Sequence, residues 1–241
     1  MKKVVISLLI AALVIPACLS GAFAGLAEDM GSSVEWIDRF DATPPSRRDR
    51  QPPQKTPRRR DPDIYEFVDP RVEIVIRDYL GRPNGYIYKD DLLRVTDLYN
   101  ESGLEDAGIT SLEDFRYCTN LKTLWLKDNP VSDLRPLKKL KLKKLNLTST
   151  DVYDLTPISR MTSLTSLFLS KNPQITDLSD ISDLYNLKYL YINGCGVEDL
   201  DDVLDLDLDY LQLSTWMIST RQINTFQRLH PNCKIKKYNK H

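Results

Sequence analysis

The sequence predicts an α/β solenoid: a short, curved stack of coils with a parallel sheet on its concave side. The first observation is the pattern L-x-x-L-x-L, which recurs at a nearly constant spacing along the chain. The second is a V/I-x-D-L motif that follows four of these patterns. The leucine patterns begin at Leu121, Leu142, Leu164, Leu187 and Leu208, and the second motifs begin at Val131, Val152, Ile175 and Val197.

Self-similarity at a short fixed period of this kind is the signature of leucine-rich repeats. Each repeat buries its leucines by stacking on its neighbours, so both ends of the stack need a covering element. The resulting architecture is a leucine-rich-repeat stack with a parallel concave sheet, a helical N-terminal cap and a helix-plus-strand C-terminal cap. We assign residues 63–120 to the N-terminal cap and an irregular first repeat, 121–218 to the repeats and 219–241 to the C-terminal cap.

The N-terminal cap is predicted to begin with a helix at Asp69-Pro70, an acidic capping residue followed by a proline in the first turn. Gly81 ends this helix, and a second short helix is predicted over residues 89–95. At the other end of the chain, Thr220 is the expected N-cap of a helix that Pro231 stops. Residues 233–238 then form a last extended edge. The apolar positions expected to pack are Val72, Val75, Ile76, Tyr79 and Leu80 in the first helix, and Ile223, Phe226 and Leu229 in the last.

The N-terminus predicts export. Two lysines precede an apolar run over residues 4–15, which is too short for a helix that spans a bilayer of about 30 Å and typical of a signal peptide. Two processing sites compete. Small residues at 22 and 24 favour cleavage after residue 24, whereas residues 15–18 are similar to a bacterial lipobox. In the second case the signal is residues 1–17, and Cys18 is the candidate lipidation site for an outer-membrane anchor. Periplasm, cell surface and medium all remain open.

Residues 25–62 are predicted to be a disordered linker rich in proline and arginine. Between Ser46 and Arg60 lie seven basic residues and one acidic residue, with no apolar side chain except proline. Such a segment cannot bury enough surface to offset its chain entropy. We interpret it as a tether for the repeats; contact of its arginines with anionic lipid or polysaccharide is the alternative.

Composition argues against catalysis and against nucleic acid. The net charge is −1, and the two histidines, His230 and His241, both lie near the C-terminus. No metal-ligand spacing, phosphate-binding loop or Cys–His pair occurs, so we expect no enzyme activity, no cofactor and no metal. Cys118 and Cys195 are expected to be buried, and a bridge between Cys195 and Cys233 is left open.

The repeats resemble the internalin-like leucine-rich-repeat proteins of bacteria. The V/I-x-D-L half-repeats and the helical segment before residue 121 carry this resemblance, which spans roughly residues 66–235. It implies a 3₁₀ turn on the convex side of each half-repeat, and it is specific for the fold but weakly informative about the partner. The sequence departs from the family at the asparagine position, which is kept at Asn129 and Asn172 but holds Thr150, Cys195 and Trp216 elsewhere. An extra residue at positions 173–174 predicts a local bulge.

Residues between the inward leucines must face the concave surface, because side chains alternate along a strand. This places two outward columns next to each other, and several of their members are aromatic. Exposed aromatic residues among polar ones are typical of protein interfaces and of carbohydrate platforms. The alternative is that the rings only brace the sheet. The predicted partner-binding residues are Tyr99, Trp125, Lys144, Phe168, Tyr189, Tyr191 and Tyr210.

The sequence therefore predicts a non-enzymatic, exported binding module, expected to be a monomer, whose partner is a protein. A cell-surface glycan or peptidoglycan is the second candidate ligand, and a structural spacer in the envelope is the remaining alternative. The identity of the partner does not follow from the sequence.

Overall fold

The computed structural model describes residues 62–99 and 102–239. The predicted signal peptide and almost all of the predicted linker lie outside the described residues. Within the described part, seven parallel strands form one sheet in chain order, and every neighbouring pair is hydrogen-bonded. This confirms the predicted leucine-rich-repeat solenoid. The strands are β1 (Asp97–Leu98), β2 (Thr123–Trp125), β3 (Lys144–Asn146), β4 (Ser166–Phe168), β5 (Tyr189–Tyr191), β6 (Tyr210–Ser214) and β7 (Lys234–Tyr238).

Short 3₁₀ turns alternate with the strands on the convex side, as the resemblance to the internalin-like proteins implies. The aspartate of each motif accepts a hydrogen bond from the backbone N–H two residues later: the distance is 2.8 Å from Asp133 and 2.6 Å from Asp177. This Asx geometry turns the chain immediately before the 3₁₀ segment. The turns are Glu113–Tyr117, Arg135–Leu137, Thr156–Ile158, Ser179–Ile181 and Asp201–Val203.

Inward leucines from adjacent strands lie directly opposite each other and form the core. The register pairs Leu124 with Leu145 and continues through every strand to Leu211. Each of these leucines is fully buried. Fully burying such a side chain contributes roughly 1.5–3 kcal/mol, so the stacked leucines are the main source of stability in the solenoid.

Asparagine side chains satisfy backbone groups inside the turns. Asn172 donates to the carbonyls of Leu147 and Leu169, both at 2.7 Å, and accepts from the Thr150 N–H at 2.8 Å. Asn129 makes the same three kinds of contact one pair of coils earlier. Where asparagine is missing, the hydroxyl of Thr150 reaches one carbonyl, and the thiol of Cys195 contacts another. The series of side-chain hydrogen bonds inside the turns, which we call the asparagine ladder, therefore continues through Thr150 and Cys195 with fewer bonds per turn.

The extra residue at positions 173–174 is accommodated by a side-chain contact with the preceding coil. The amide of Gln174 donates to the carbonyls of Thr150 and Val152, each at 3.0 Å. These two hydrogen bonds join the coil that contains the extra residue to the coil before it.

The N-terminal cap comprises α1 (Pro70–Leu80) and α2 (Lys89–Leu92). Asp69 caps α1 by accepting from the Arg71 N–H at 2.9 Å, as predicted, and α2 is shorter than expected. The buried carboxylate of Asp114 joins the cap to the first coil. It accepts from the Tyr65 hydroxyl and from the N–H groups of Val68 and Asp69, each at 2.8 Å.

Three details of the predicted caps were wrong. Tyr79 lies on the exposed side of α1, where its hydroxyl contacts Thr96. The last helix, α3 (Thr220–Leu229), is capped by Ser219 and not by Thr220, because the Ser219 hydroxyl accepts from the Gln222 N–H. Leu229 is exposed, since only Ile223 and Phe226 of the expected apolar stripe face the core.

The three cysteines of the described residues are free and buried. The bridge between Cys195 and Cys233 that the sequence left open is therefore not formed in this structure. Burial raises the pKa of the Cys118 and Cys195 thiols to about 12. Both side chains act as small apolar core residues.

Candidate partner-binding surface

The strand register assembles the two outward columns that the sequence predicts. One column runs through Trp125, Asn146, Phe168, Tyr191 and Gln212, which are consecutive partners on β2 to β6. The other runs from Asp97 to Tyr210 by way of Lys144 and Tyr189. Each of the strands β2 to β6 contributes one residue to each column, so the two columns lie side by side on the concave face.

Five aromatic rings form a continuous line along this face, which we call the aromatic strip. The centroids of Phe168 and Tyr191 are 4.3 Å apart, and the rings are nearly parallel. The remaining centroid distances are 6.5 Å from Tyr99 to Trp125, 5.6 Å from Trp125 to Phe168 and 5.2 Å from Tyr191 to Tyr210. The strip therefore reaches from the first coil to the last regular one.

Small polar residues allow the rings to meet. Asn146 separates Trp125 from Phe168 in the register, and these two rings contact each other across it, leaving Asn146 only 4% exposed. Thr123 and Ser166, in the neighbouring column, are also buried on this face. A large side chain at these three positions would keep the rings apart. The strip is thus a product of small and large outward residues together.

The rings of the strip are less open to solvent than the sequence indicates. Within the strip only Tyr99 is exposed, whereas Trp125, Phe168, Tyr191 and Tyr210 are half-buried. Tyr189, which lies outside the strip in the neighbouring column, is also exposed. The cause is the mutual packing of the rings, which covers part of each one. Partial burial also raises the pKa of the Tyr191 hydroxyl. At neutral pH this hydroxyl is a hydrogen-bond donor next to an apolar platform.

Charged and polar groups surround the aromatic strip. Lys144 is exposed in the neighbouring column, as predicted. The indole N–H of Trp125 is buried and has no acceptor among the described residues. Such a group is costly to leave unpaired. At the far end, Gln212 contacts Asn193, which also accepts from Ser170 at 2.6 Å.

Sequence reasoning missed the contribution of β7. Lys234 and Lys236 stand opposite Tyr210 and Gln212, so lysines extend both outward columns. The Lys236 amine lies 5.0 Å from the centre of the Tyr238 ring, a cation–π distance. The alternation of residues 234–238 was the available signal, because it places Lys234, Lys236 and Tyr238 on one side of the strand.

Other predicted features lie elsewhere. Cys18 is outside the described residues, as are both candidate processing sites. In the described residues, no helix has the length and apolar character needed to cross a membrane. The same part of the chain contains no group of three or more His, Cys, Asp or Glu side chains placed to hold a metal ion.

Known proteins share this repeat pattern and geometry. A family model described as leucine-rich repeats (two copies) matches residues 162–208. The crystal structure of internalin C2 from Listeria monocytogenes superposes with a TM-score of 0.56 at 25% identity, covering 73% of this chain and 87% of that one. In repeat pattern and in fold, the chain is similar to the internalins, which are leucine-rich-repeat proteins.

A second solved structure supports the fold of this internalin-like protein. An internalin (inlF) from Listeria monocytogenes superposes with a TM-score of 0.57 at 22% identity, covering 72% of the present chain. The match spans 57% of that internalin's length. No curated protein sequence matches significantly. The comparisons establish the repeat fold.

Proposed function

We propose that this internalin-like protein is an exported, non-enzymatic module that binds a partner protein through its aromatic strip. The observation that carries the proposal is the uninterrupted line of five rings on the concave face. Protein interfaces are enriched in tyrosine and tryptophan, which provide large contact areas with few rotatable bonds. No comparable line of ring contacts occurs on the convex side of the described residues.

The shape of the strip also supports a protein partner. Rings that already contact one another lose little conformational freedom on binding, so more of the contact energy appears as affinity. Lys144 and Lys236 flank the rings and favour a partner with acidic groups around its contact patch.

The ring contacts are also consistent with the alternative that the strip only braces the sheet. The test must therefore measure binding and stability separately. We would capture partners with the full chain, identify them by mass spectrometry and measure the affinity of each purified candidate. Trp125→Ala and Tyr191→Ala are each expected to weaken binding by about 2 kcal/mol or more, roughly 30-fold. Tyr153→Ala is the matched control, because Tyr153 is 69% exposed and lies beside the convex turn.

Unchanged affinity in both strip variants would exclude the concave face as the binding site. Equal capture by the native chain and a Trp125→Ala/Phe168→Ala/Tyr191→Ala variant would favour a structural spacer. Recovery of polysaccharide in place of protein would favour a glycan or peptidoglycan ligand, since aromatic platforms also stack on sugar rings.

Export and anchoring are separate parts of the proposal, because they depend on residues 1–24. We would express the full chain in a bacterial host with radiolabelled palmitate. Incorporation into the native protein but not into Cys18→Ala would assign a lipoprotein. Cleavage after residue 24, seen by N-terminal sequencing, would assign soluble export.

A further inference from the structure

One edge of the solenoid carries a charge pattern that the binding proposal does not use. Each 3₁₀ turn is followed by a return segment that leads into the next strand. The second residue after each turn occupies the same place in four successive coils. The backbone confirms the equivalence: Leu140, Met161, Leu184 and Leu206 each follow this residue and each donate to the carbonyl of the last residue in the preceding turn.

These four equivalent positions hold two cations followed by two anions, and we call them the return-edge column. In chain order they are Lys139, Arg160, Asp183 and Asp205. All four side chains are exposed, and none forms an ion pair within the described residues. Coils repeat at about 4.8 Å, so the column extends over about 15 Å.

The order of the charges is unfavourable for an isolated molecule. Lys139 neighbours Arg160, and Asp183 neighbours Asp205, so two of the three steps along the column place like charges next to each other. Like charges on adjacent coils repel each other, although water and salt weaken the repulsion, and alternating signs would avoid this cost. The pattern ++−− has another property: it becomes its own complement after a two-fold rotation about its centre. Lys139 then faces Asp205 of a second copy, and Arg160 faces Asp183.

The centre and the neighbouring positions of this edge agree with such an arrangement. Tyr185 lies in the return segment next to the centre and is 62% exposed, a large ring available for contact across the axis. Its hydroxyl donates to Asp183 at 3.0 Å. Lys141 and Asp207 hold equivalent places in the outer two coils and repeat the opposition of charge, although Asp207 already contacts Lys188 at 2.5 Å.

We propose that the return edge is the interface of an antiparallel homodimer, in which the return-edge columns of two copies pair Lys139 with Asp205 and Arg160 with Asp183. A two-fold axis makes each of these contacts twice, as in most homodimers. The short interface and exposed ion pairs make the dimer weak and sensitive to salt. This revises the monomer expected from sequence and leaves both concave faces free.

Complementary charge exchange tests the dimer without a foreign ligand. Two variants of the full chain are needed: Lys139→Asp/Arg160→Asp, with four negative positions in the column, and Asp183→Lys/Asp205→Lys, with four positive ones. Analytical ultracentrifugation at low and high ionic strength measures self-association. The native chain is expected to dimerise at low salt, and each variant alone at least tenfold more weakly. An equimolar mixture of the two variants should associate at least as strongly as the native chain.

The control Lys234→Asp/Lys237→Asp, on β7, makes the same change of net charge as Lys139→Asp/Arg160→Asp. It should self-associate within twofold of the native chain, and so should Trp125→Ala, which tests the other proposal. A native chain that stays monomeric at low salt overturns the dimer. A mixture of the exchanged variants that stays monomeric also overturns it, even if each variant alone loses association.

Discussion

Lys144 and Leu145 are adjacent on β3, yet they belong to surfaces with different requirements. Leu145 lies between two register partners that are also leucine, and it is fully buried. Lys144 lies between Thr123 and Ser166 and is exposed. The inward side of the sheet repeats one residue type in every coil, whereas the outward side differs from coil to coil. Stacking dictates the first side, and the second is free to acquire a partner.

The largest test of this difference compares these two neighbours. Leu145→Ala should lower the free energy of unfolding by about 4 kcal/mol, because it removes a buried side chain and leaves a cavity. Lys144→Ala should change it by less than about 0.5 kcal/mol. Urea denaturation followed by circular dichroism measures both. Similar losses for the two variants would contradict the division between the faces.

Removing a buried polar side chain from the inward side should lower the free energy of unfolding nearly as much as removing a leucine. Asn172→Ala is expected to cost about 3 kcal/mol, because two carbonyls and one N–H lose their partner in a buried turn. Asn186→Ala is the matched control. Asn186 is exposed and donates one hydrogen bond, to the carbonyl of Thr162. A control that costs as much as Asn172→Ala would show that burial does not decide the effect.

The aromatic strip is intermediate between the inward and outward sides of the sheet, because its rings point outward but most of them are half-buried. Phe168→Ala should cost about 1–2 kcal/mol of stability through lost ring contacts with Tyr191 and Trp125. Thermal unfolding of this variant beside Tyr153→Ala provides the measurement. A loss of stability above about 3 kcal/mol would be typical of a core residue, and it would favour the alternative that the rings only brace the sheet.

The smallest effect concerns the thiols on the inward side. Cys118 and Cys195 have a pKa of about 12 in the folded protein because of burial, against an ordinary value of 9.0. The thiol form is the one that folding favours, so its contribution is complete below pH 9 and declines as the pH rises above it. At pH 8, iodoacetamide should modify both cysteines at least 100-fold faster in urea than in buffer. Peptide mass spectrometry distinguishes the sites, and rapid labelling of the native chain would contradict their burial.

The sequence predicts the inward side better than the outward side for a physical reason. Leucines that recur at a nearly constant spacing report directly on stacking, so β2 to β6 follow from the pattern, and the alternation within a strand gives the outward columns. The exposure of Trp125 and Phe168 depends on the contact that their rings make across Asn146. The two rings belong to coils that are not consecutive in the chain, so no local pattern shows that they meet.

The details of the caps escaped prediction for a similar reason. Ser219 and Thr220 are both good helix caps, and only the path of the chain after β6 decides between them. The role of Asp114 as a common acceptor for Tyr65, Val68 and Asp69 depends on contacts between segments that lie far apart in the chain. No local sequence pattern predicts that this carboxylate accepts hydrogen bonds from such distant residues.

The uneven asparagine ladder has a consequence for how the molecule comes apart. Asn129 joins the coil of β1 to that of β2, and Asn172 joins the coil of β3 to that of β4. Between β2 and β3 no asparagine makes such a junction among the described residues, and between β4 and β5 the thiol of Cys195 supplies a weaker contact. Solenoid stability is a sum of local and nearest-neighbour terms. Fraying should therefore proceed in two-coil steps, with amide exchange that is slow within each fastened pair and faster at the junctions between them.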